Sequence, residues 1–227
     1  MTVIEHLEEL RRVLIISLIA WALATVIGFA ISQWTLGILL GPVHKVIGGQ
    51  KLIYPGPVDA FLLFFKIGIF TGFVLSSPII LWQVWSFMAP AFQPRTQRIV
   101  ASAVALFAMG IGFAFFALPI ALRFLTGIGN SELQYLPFAD KYINFVLILI
   151  AIFGITFELP LAMTMLGLAG IVSTTFLKRN RLKFWIGIFV GANMVTPGVD
   201  PFTPLLLTAP LIILFELSIL VIRALRR

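Results

Sequence analysis

Glu158 is the residue of this sequence best placed to do chemistry from inside an apolar stretch. It lies sixteen positions after Tyr142 in a run otherwise free of charge, and Pro160 follows in Phe157-Glu158-Leu159-Pro160. A charged carboxylate at bilayer depth costs about 2.5–3.5 kcal/mol on insertion scales, so such a group faces a partner or a wet cavity. Pro160 removes an amide donor, which leaves an upstream carbonyl free and makes a polar notch. Two roles fit. One is a protonated Glu hydrogen-bonded within a helix bundle; the other is a polar contact for another membrane helix or a passing substrate.

A second group of acids stands at the start of the chain, in Glu5-His6-Leu7-Glu8-Glu9-Leu10-Arg11-Arg12. Acids at a helix start favour the macrodipole, and Glu8 with Arg12 has the i,i+4 spacing of an ion pair. Acids on an otherwise basic face also offer a site for cations. A carboxylate holds a guanidinium through two parallel hydrogen bonds, which an ammonium cannot reproduce. Two more acids lie in apolar surroundings. Asp200 suits a cap for a helix that starts near Phe202. Glu216, about two turns before Arg223, suits a hydrogen bond inside a bundle. His44 and Lys45 read as solvated residues of an outer loop.

Enzyme signatures are missing. His6 and His44 are the two histidines and there is no cysteine, so thiolate and histidine metal sites have no ligand set. His6-Leu7-Glu8-Glu9 is not a zinc-binding HExxH, and no glycine-rich phosphate loop occurs. The expectation is a chain with no catalytic residue, metal or cofactor.

The elements that position these acids follow from composition. Of 227 residues 60% are hydrophobic and 11% charged, with mean hydropathy +1.09; a soluble chain runs about 45–50% apolar and about 25% charged. Most side chains must therefore meet lipid. A net charge of +7 by itself suits nucleic acid as well as membrane, but the basic residues fall in short clusters between apolar segments, the pattern of membrane orientation. The opening is too acidic, and its uncharged run from Val13 to Val43 too long, for a cleavable signal.

A span needs roughly 20 apolar residues. Residues 13–34, 67–89, 99–122 and 142–170 meet that requirement. A further pair, about 184–196 and 204–222, is joined by Thr196-Pro197-Gly198-Val199-Asp200-Pro201-Phe202-Thr203, a proline- and glycine-bearing turn. The first arm of this pair reaches only ~18 Å as a helix, short of the ~30 Å hydrocarbon core, so a shallow hairpin is expected beside thinned bilayer. With the N-terminus inside, Arg11, Arg12, Arg95, Arg98, Lys178, Arg179, Arg181, Lys183, Arg223, Arg226 and Arg227 fall inside, eleven of sixteen basic residues. Lys45, Lys51, Lys66, Arg123 and Lys141 fall outside. Both termini are thus expected in the cytoplasm. Trp34, Trp82, Trp85 and Trp185 suit interfacial positions, and Trp21 suits the bundle interior. Pro78, Pro119, Pro160 and Pro210 predict kinked helices. The fold class is an all-α integral membrane protein of six transmembrane segments in one polytopic domain.

Four stretches in order, EHLEELRR, SSPIILWQVWSFMAPAF, FGITFELP and TPGVDPF…LFELS, together resemble the TatC family, the receptor subunits of twin-arginine protein translocases. The resemblance implies a concave, glove-shaped bundle with a short final pair of helices. It implies binding of twin-arginine signal peptides on folded cargo, partners of the TatA and TatB type, self-association, a multi-pass place in the cytoplasmic (inner) membrane, and export driven by the proton-motive force. Glu9 matches the family's acid at the signal-peptide site, with Glu8 beside it. The loop 89–98, with Arg95 and Arg98, matches the other half of that site, although Thr96 stands where the family usually has Glu. Glu158 with Pro160 matches the intramembrane glutamate on the concave face. Asn193, Thr196, Asp200 and Glu216 match the polar region where partner helices dock, and Pro204 stands where Gln is common. The alternative is a small proton-coupled secondary transporter, in which Glu158 carries a proton and Asp200 or Glu216 binds a solute; a structural scaffold is a third reading.

Overall fold

A computed structural model describes residues 3–48, 51–88, 96–127, 138–196 and 202–225. The described chain forms nine helices: α1 Val3–Ala30, α2 Ser32–Ile47, α3 Pro57–Met88, α4 Thr96–Gly127, α5 Ala139–Thr156, α6 Leu159–Leu168, α7 Thr174–Arg179, α8 Arg181–Val195 and α9 Phe202–Leu225. Five stretches are long and apolar enough to cross a membrane: Ile4–Ala30, Pro57–Met88, Ile99–Gly127, Ala139–Leu168 and Phe202–Ala224. Leu18, Leu23 and Val26 of α1, like Phe61, Leu75 and Ile79 of α3, are exposed, which is the surface expected where lipid replaces water.

The last two helices differ in length. α8 has 15 residues and spans about 22 Å, below the ~30 Å core, whereas α9 has 24. The other spans run past the expected apolar limits because charges near their ends do not terminate them. Lys66 of α3 and Arg123 of α4 are exposed helical residues, placed as long basic side chains can be, with the stem on apolar surface and the head outward. His44 and Lys45 likewise sit in the last turn of α2, not in a loop, where positive charge suits the helix dipole. That helix ends at Gly48, in the left-handed region at φ 65°, whose amide donates to the His44 carbonyl.

By contacts the chain divides into two compact units: residues 1–104 with 136–147, and residues 105–135 with 148–227. In the first, α1 lies along α3 with backbone nearly touching backbone. A Cβ on Gly72 would stand 2.5 Å from the Thr25 Cα, and one on Gly28 would collide with the Gly68 carbonyl. Trp21 packs inward as expected, its Nε1 donating to the Ile69 carbonyl at 3.1 Å. Trp82 is exposed, but Trp85 is buried and so belongs to the core and not to an interfacial belt. The Tyr142 hydroxyl donates to the Leu39 carbonyl at 2.6 Å, tying α5 to α2.

In the second unit, Phe153 is fully buried. Gly110 meets its carbonyl, and the Phe113 ring stands 5.1 Å from its own ring. Leu177, Phe215, Ile219 and Ile222 form a core cluster around α9, and Ile222 packs against Gly167.

The helical assignment continues through Pro78, Pro119 and Pro210. At Pro78 the reason is local. Its missing amide would leave the Val74 carbonyl without a donor, and the Ser77 hydroxyl donates to that carbonyl at 2.8 Å. Of the four prolines expected to kink a span, Pro160 alone follows a break in the helix.

Candidate functional site

The sequence-predicted residues fall at three places, two of them in the second unit. In the first unit the opening acids meet the far end of α3. The His6 ring stacks on Phe87, with centroids 4.4 Å apart and planes 17° apart. Its Nδ1 lies 3.9 Å from Glu9 Oε2. That oxygen is buried and accepts no hydrogen bond from the described residues, although the Glu9 side chain as a whole is 32% exposed. A partly exposed carboxylate beside a stacked imidazole has acceptor capacity left for a planar cation. Glu8 is exposed, and the expected Glu8–Arg12 ion pair does not form. Both side chains stand in solvent or headgroup, where such a pair is worth only about 0.3–0.5 kcal/mol. Thr96 and Arg98 lie in the first turn of α4; Arg95, with most of its loop, lies outside the described residues.

In the second unit Glu158 occupies the two-residue break between α5 and α6. The backbone tightens there: the Glu158 amide donates to the Ile155 carbonyl at 3.1 Å, and helical bonding resumes when the Ala162 amide donates to Glu158 at 3.0 Å. Pro160 opens α6 within its first turn, the position where a missing amide costs least. The Thr156 and Thr164 hydroxyls flank the break but donate to their own helices, at 2.7 Å each. Glu158 is half-buried, and its neighbour Phe157 is buried against Phe113, with centroids 5.6 Å apart. The helix is interrupted just before Pro160, and Glu158 lies in the interruption.

The third place is the α8–α9 pair. Glu216 has a partner on the neighbouring helix: Arg181 Nη2 donates to its Oε2 at 2.7 Å. The antiparallel course of α8 and α9 brings the start of one beside the later turns of the other, so residues 35 positions apart meet. Glu216 Oε1 is buried and accepts no hydrogen bond from the described residues. Asn193 is exposed and donates to the Phe189 carbonyl of its own helix at 2.7 Å. Thr196 is buried at the end of α8, its hydroxyl without a hydrogen bond among the described residues. Asp200 lies outside the described residues. Pro204 is buried, its carbonyl accepting from the Thr208 hydroxyl at 2.7 Å.

Sequence reasoning passed over Phe87 and Arg181. Phe87 is one of 22 phenylalanines and nothing in its type marks it. Arg181 was legible only as one charge in a basic cluster.

Among the described residues no group of three acids, histidines or cysteines could hold a metal ion.

The family model for the Sec-independent protein translocase protein (TatC) matches residues 5–210. The Sec-independent protein translocase protein TatC of Carboxydothermus hydrogenoformans is 41% identical, over 97% of this chain and 92% of its own length. That of Aquifex aeolicus is 37% identical, over 96% and 93%. A crystal structure of a twin arginine translocase receptor, TatC, superposes with a TM-score of 0.85 at 35% identity, covering 98% of this chain and 100% of that one.

Proposed function

Because the chain belongs to the TatC family of Sec-independent protein translocase proteins, we propose that it binds twin-arginine signal peptides as the receptor and core subunit of its translocase. The observation that carries the binding step is Glu9, whose buried Oε2 accepts no hydrogen bond from the described residues and lies beside His6, itself stacked on Phe87. A guanidinium entering there supplies parallel donors to a carboxylate already partly out of water, where the charge-assisted bond is stronger. Glu8 adds a second, exposed negative charge. Arg95, Thr96 and Arg98 form the other side of the signal's path along the inner face.

The apolar part of the signal then engages the segment around Glu158 and Pro160, at the break between α5 and α6. Single-span partners of the TatA and TatB type dock along α8 and α9, at Asn193, Thr196, Asp200 and Glu216. Glu216 meets them with Arg181 attached, so the guest sees a compensated pair. The short α8 thins the bilayer beside it, and assembly of partner helices there, driven by the proton-motive force, passes folded cargo. The chain lies in the cytoplasmic membrane with both termini inside, self-associates, and performs no covalent chemistry and needs no cofactor.

The test is photo-crosslinking of a twin-arginine signal peptide to the chain in membranes. Crosslinks near Glu9 should fade when the two arginines become lysines and when Glu9 and Glu8 become glutamine. Equal crosslinking in all cases would remove the recognition step. Export of a twin-arginine reporter in cells lacking their own receptor measures the complete function.

A further inference from the structure

A groove of about 650 Å³ runs within the second unit, bounded by α5 and α6 on one side and by α7, α8 and α9 on the other. Ile152, Leu159, Ile188 and Leu207 are among its apolar walls, and Gly187 and Gly191 line it along α8. A Cβ added at either glycine would meet nothing within 4 Å. These glycines do not bring helices together, as Gly28 and Gly72 do; they leave a trough open.

One end of the trough is charged. Asn180 and Lys183 line it at the start of α8, in the cluster Lys178, Arg179, Arg181 and Lys183. Arg181 is engaged by Glu216 at 2.7 Å. The other three cations are exposed and form no ion pair among the described residues, and no acid lines the groove.

Size selects the occupant. From Lys183 to Val195 the trough follows α8 for about 18 Å, close to the ~15 Å of one leaflet's share of the hydrocarbon core. A cationic mouth on an apolar trough one leaflet deep is complementary to an amphiphile with an anionic head.

We propose that this groove holds an anionic phospholipid, its phosphate at Lys183 with Lys178 and Arg179 nearby and its acyl chain lying over Gly187 and Gly191. The inference needs only that the chain is embedded in lipid, and it stands or falls separately from signal-peptide recognition.

Native mass spectrometry of the full chain, stripped of lipid in neutral detergent, tests it by titration with phosphatidylglycerol, phosphatidylcholine of the same acyl chains, and glycerol phosphate. Phosphatidylglycerol should bind about fivefold more tightly than phosphatidylcholine for each cation that reaches the phosphate, and glycerol phosphate should not bind. Lys183→Gln should narrow the gap between the two lipids. Gly191→Leu should weaken both, and Gly191→Ala, which adds one methyl to open space, provides a folded comparison with a smaller effect. A photo-crosslinker at position 191 in native membranes should yield an adduct with the mass of a phospholipid. Equal affinity for the two lipids, a preference untouched when Lys178, Arg179 and Lys183 all become glutamine, binding of glycerol phosphate as tight as the lipid's, or a polypeptide adduct at position 191 would each overturn the proposal.

Discussion

The Arg181 guanidinium donates to Glu216 Oε2 at 2.7 Å, and this contact joins the first turn of α8 to the later part of α9. The side chains are 47% and 28% exposed, so the pair sits at the upper end of what solvent-screened pairs contribute, about 1 kcal/mol. Arg181→Ala leaves a half-buried carboxylate uncompensated and should lower the thermal midpoint in detergent by about 2–4 °C. Glu216→Gln should cost less, since an amide needs no counter-charge. The double variant Arg181→Ala with Glu216→Gln should lose less than the two single changes together, because each removes the same contact. Strict additivity would show that the pair contributes nothing.

That pair also shows what a one-dimensional reading can and cannot reach. Glu216 was legible as an acid needing a partner, since lipid makes a lone carboxylate costly. The identity of the partner was not, because it depends on how α8 returns against α9, and 35 residues separate them. The spans were legible from length and hydropathy, which act locally along the chain. Their ends were not, because Lys66 and Arg123 are long enough to remain helical while carrying charge at a membrane boundary. Glu9 was legible as a candidate through the spacing of acids and the family's opening motif. The stacked pair beside it was not: Phe87 is brought to His6 by the long α1–α3 contact, whose cause is a set of glycines with no chemical signature of their own.

Those glycines permit a direct comparison. At Gly72 an added methyl would lie 2.5 Å from the Thr25 Cα and 2.6 Å from its amide nitrogen, so main chain would have to move. Gly72→Ala should destabilise by about 1–3 kcal/mol, the usual range for overpacking. At Gly37 of α2 an added methyl would meet nothing within 4 Å. Gly37→Ala should be neutral or stabilise by about 0.5–1 kcal/mol through reduced backbone entropy in the unfolded chain. Thermal unfolding of the two variants side by side reads the sign; equal shifts would mean that α1 and α3 are not in backbone contact.

Pro78 lies inside α3, and the Ser77 hydroxyl supplies the Val74 carbonyl with the donor that the proline lacks. Ser77→Ala should then cost about 0.5–1.5 kcal/mol, the net value of one hydrogen bond. In the background Pro78→Ala the same change should cost almost nothing, because residue 78 again has an amide. The double-mutant cycle, followed by thermal unfolding, should give a coupling of that size. A hydroxyl that merely packs would give no coupling.

Signal binding should separate Glu9 from Glu8. Glu9 carries a buried oxygen beside His6, which stacks on Phe87, so a guanidinium bound there gains a charge-assisted bond of about 1.5–3 kcal/mol, and Glu9→Gln should weaken a twin-arginine signal peptide by roughly 10–150-fold. Glu8 is exposed and its charge is screened, so Glu8→Gln should cost no more than about fivefold. His6 tests whether the stack matters. His6→Ala removes the ring that stacks on Phe87 and should weaken binding even though no charge on Glu9 changes. His6→Phe keeps the stack and should restore most of the affinity. Fluorescence titration of a labelled signal peptide into the reconstituted chain measures all four. If His6→Phe binds as poorly as His6→Ala, the imidazole itself contacts the guest, and the stack is not what positions Glu9.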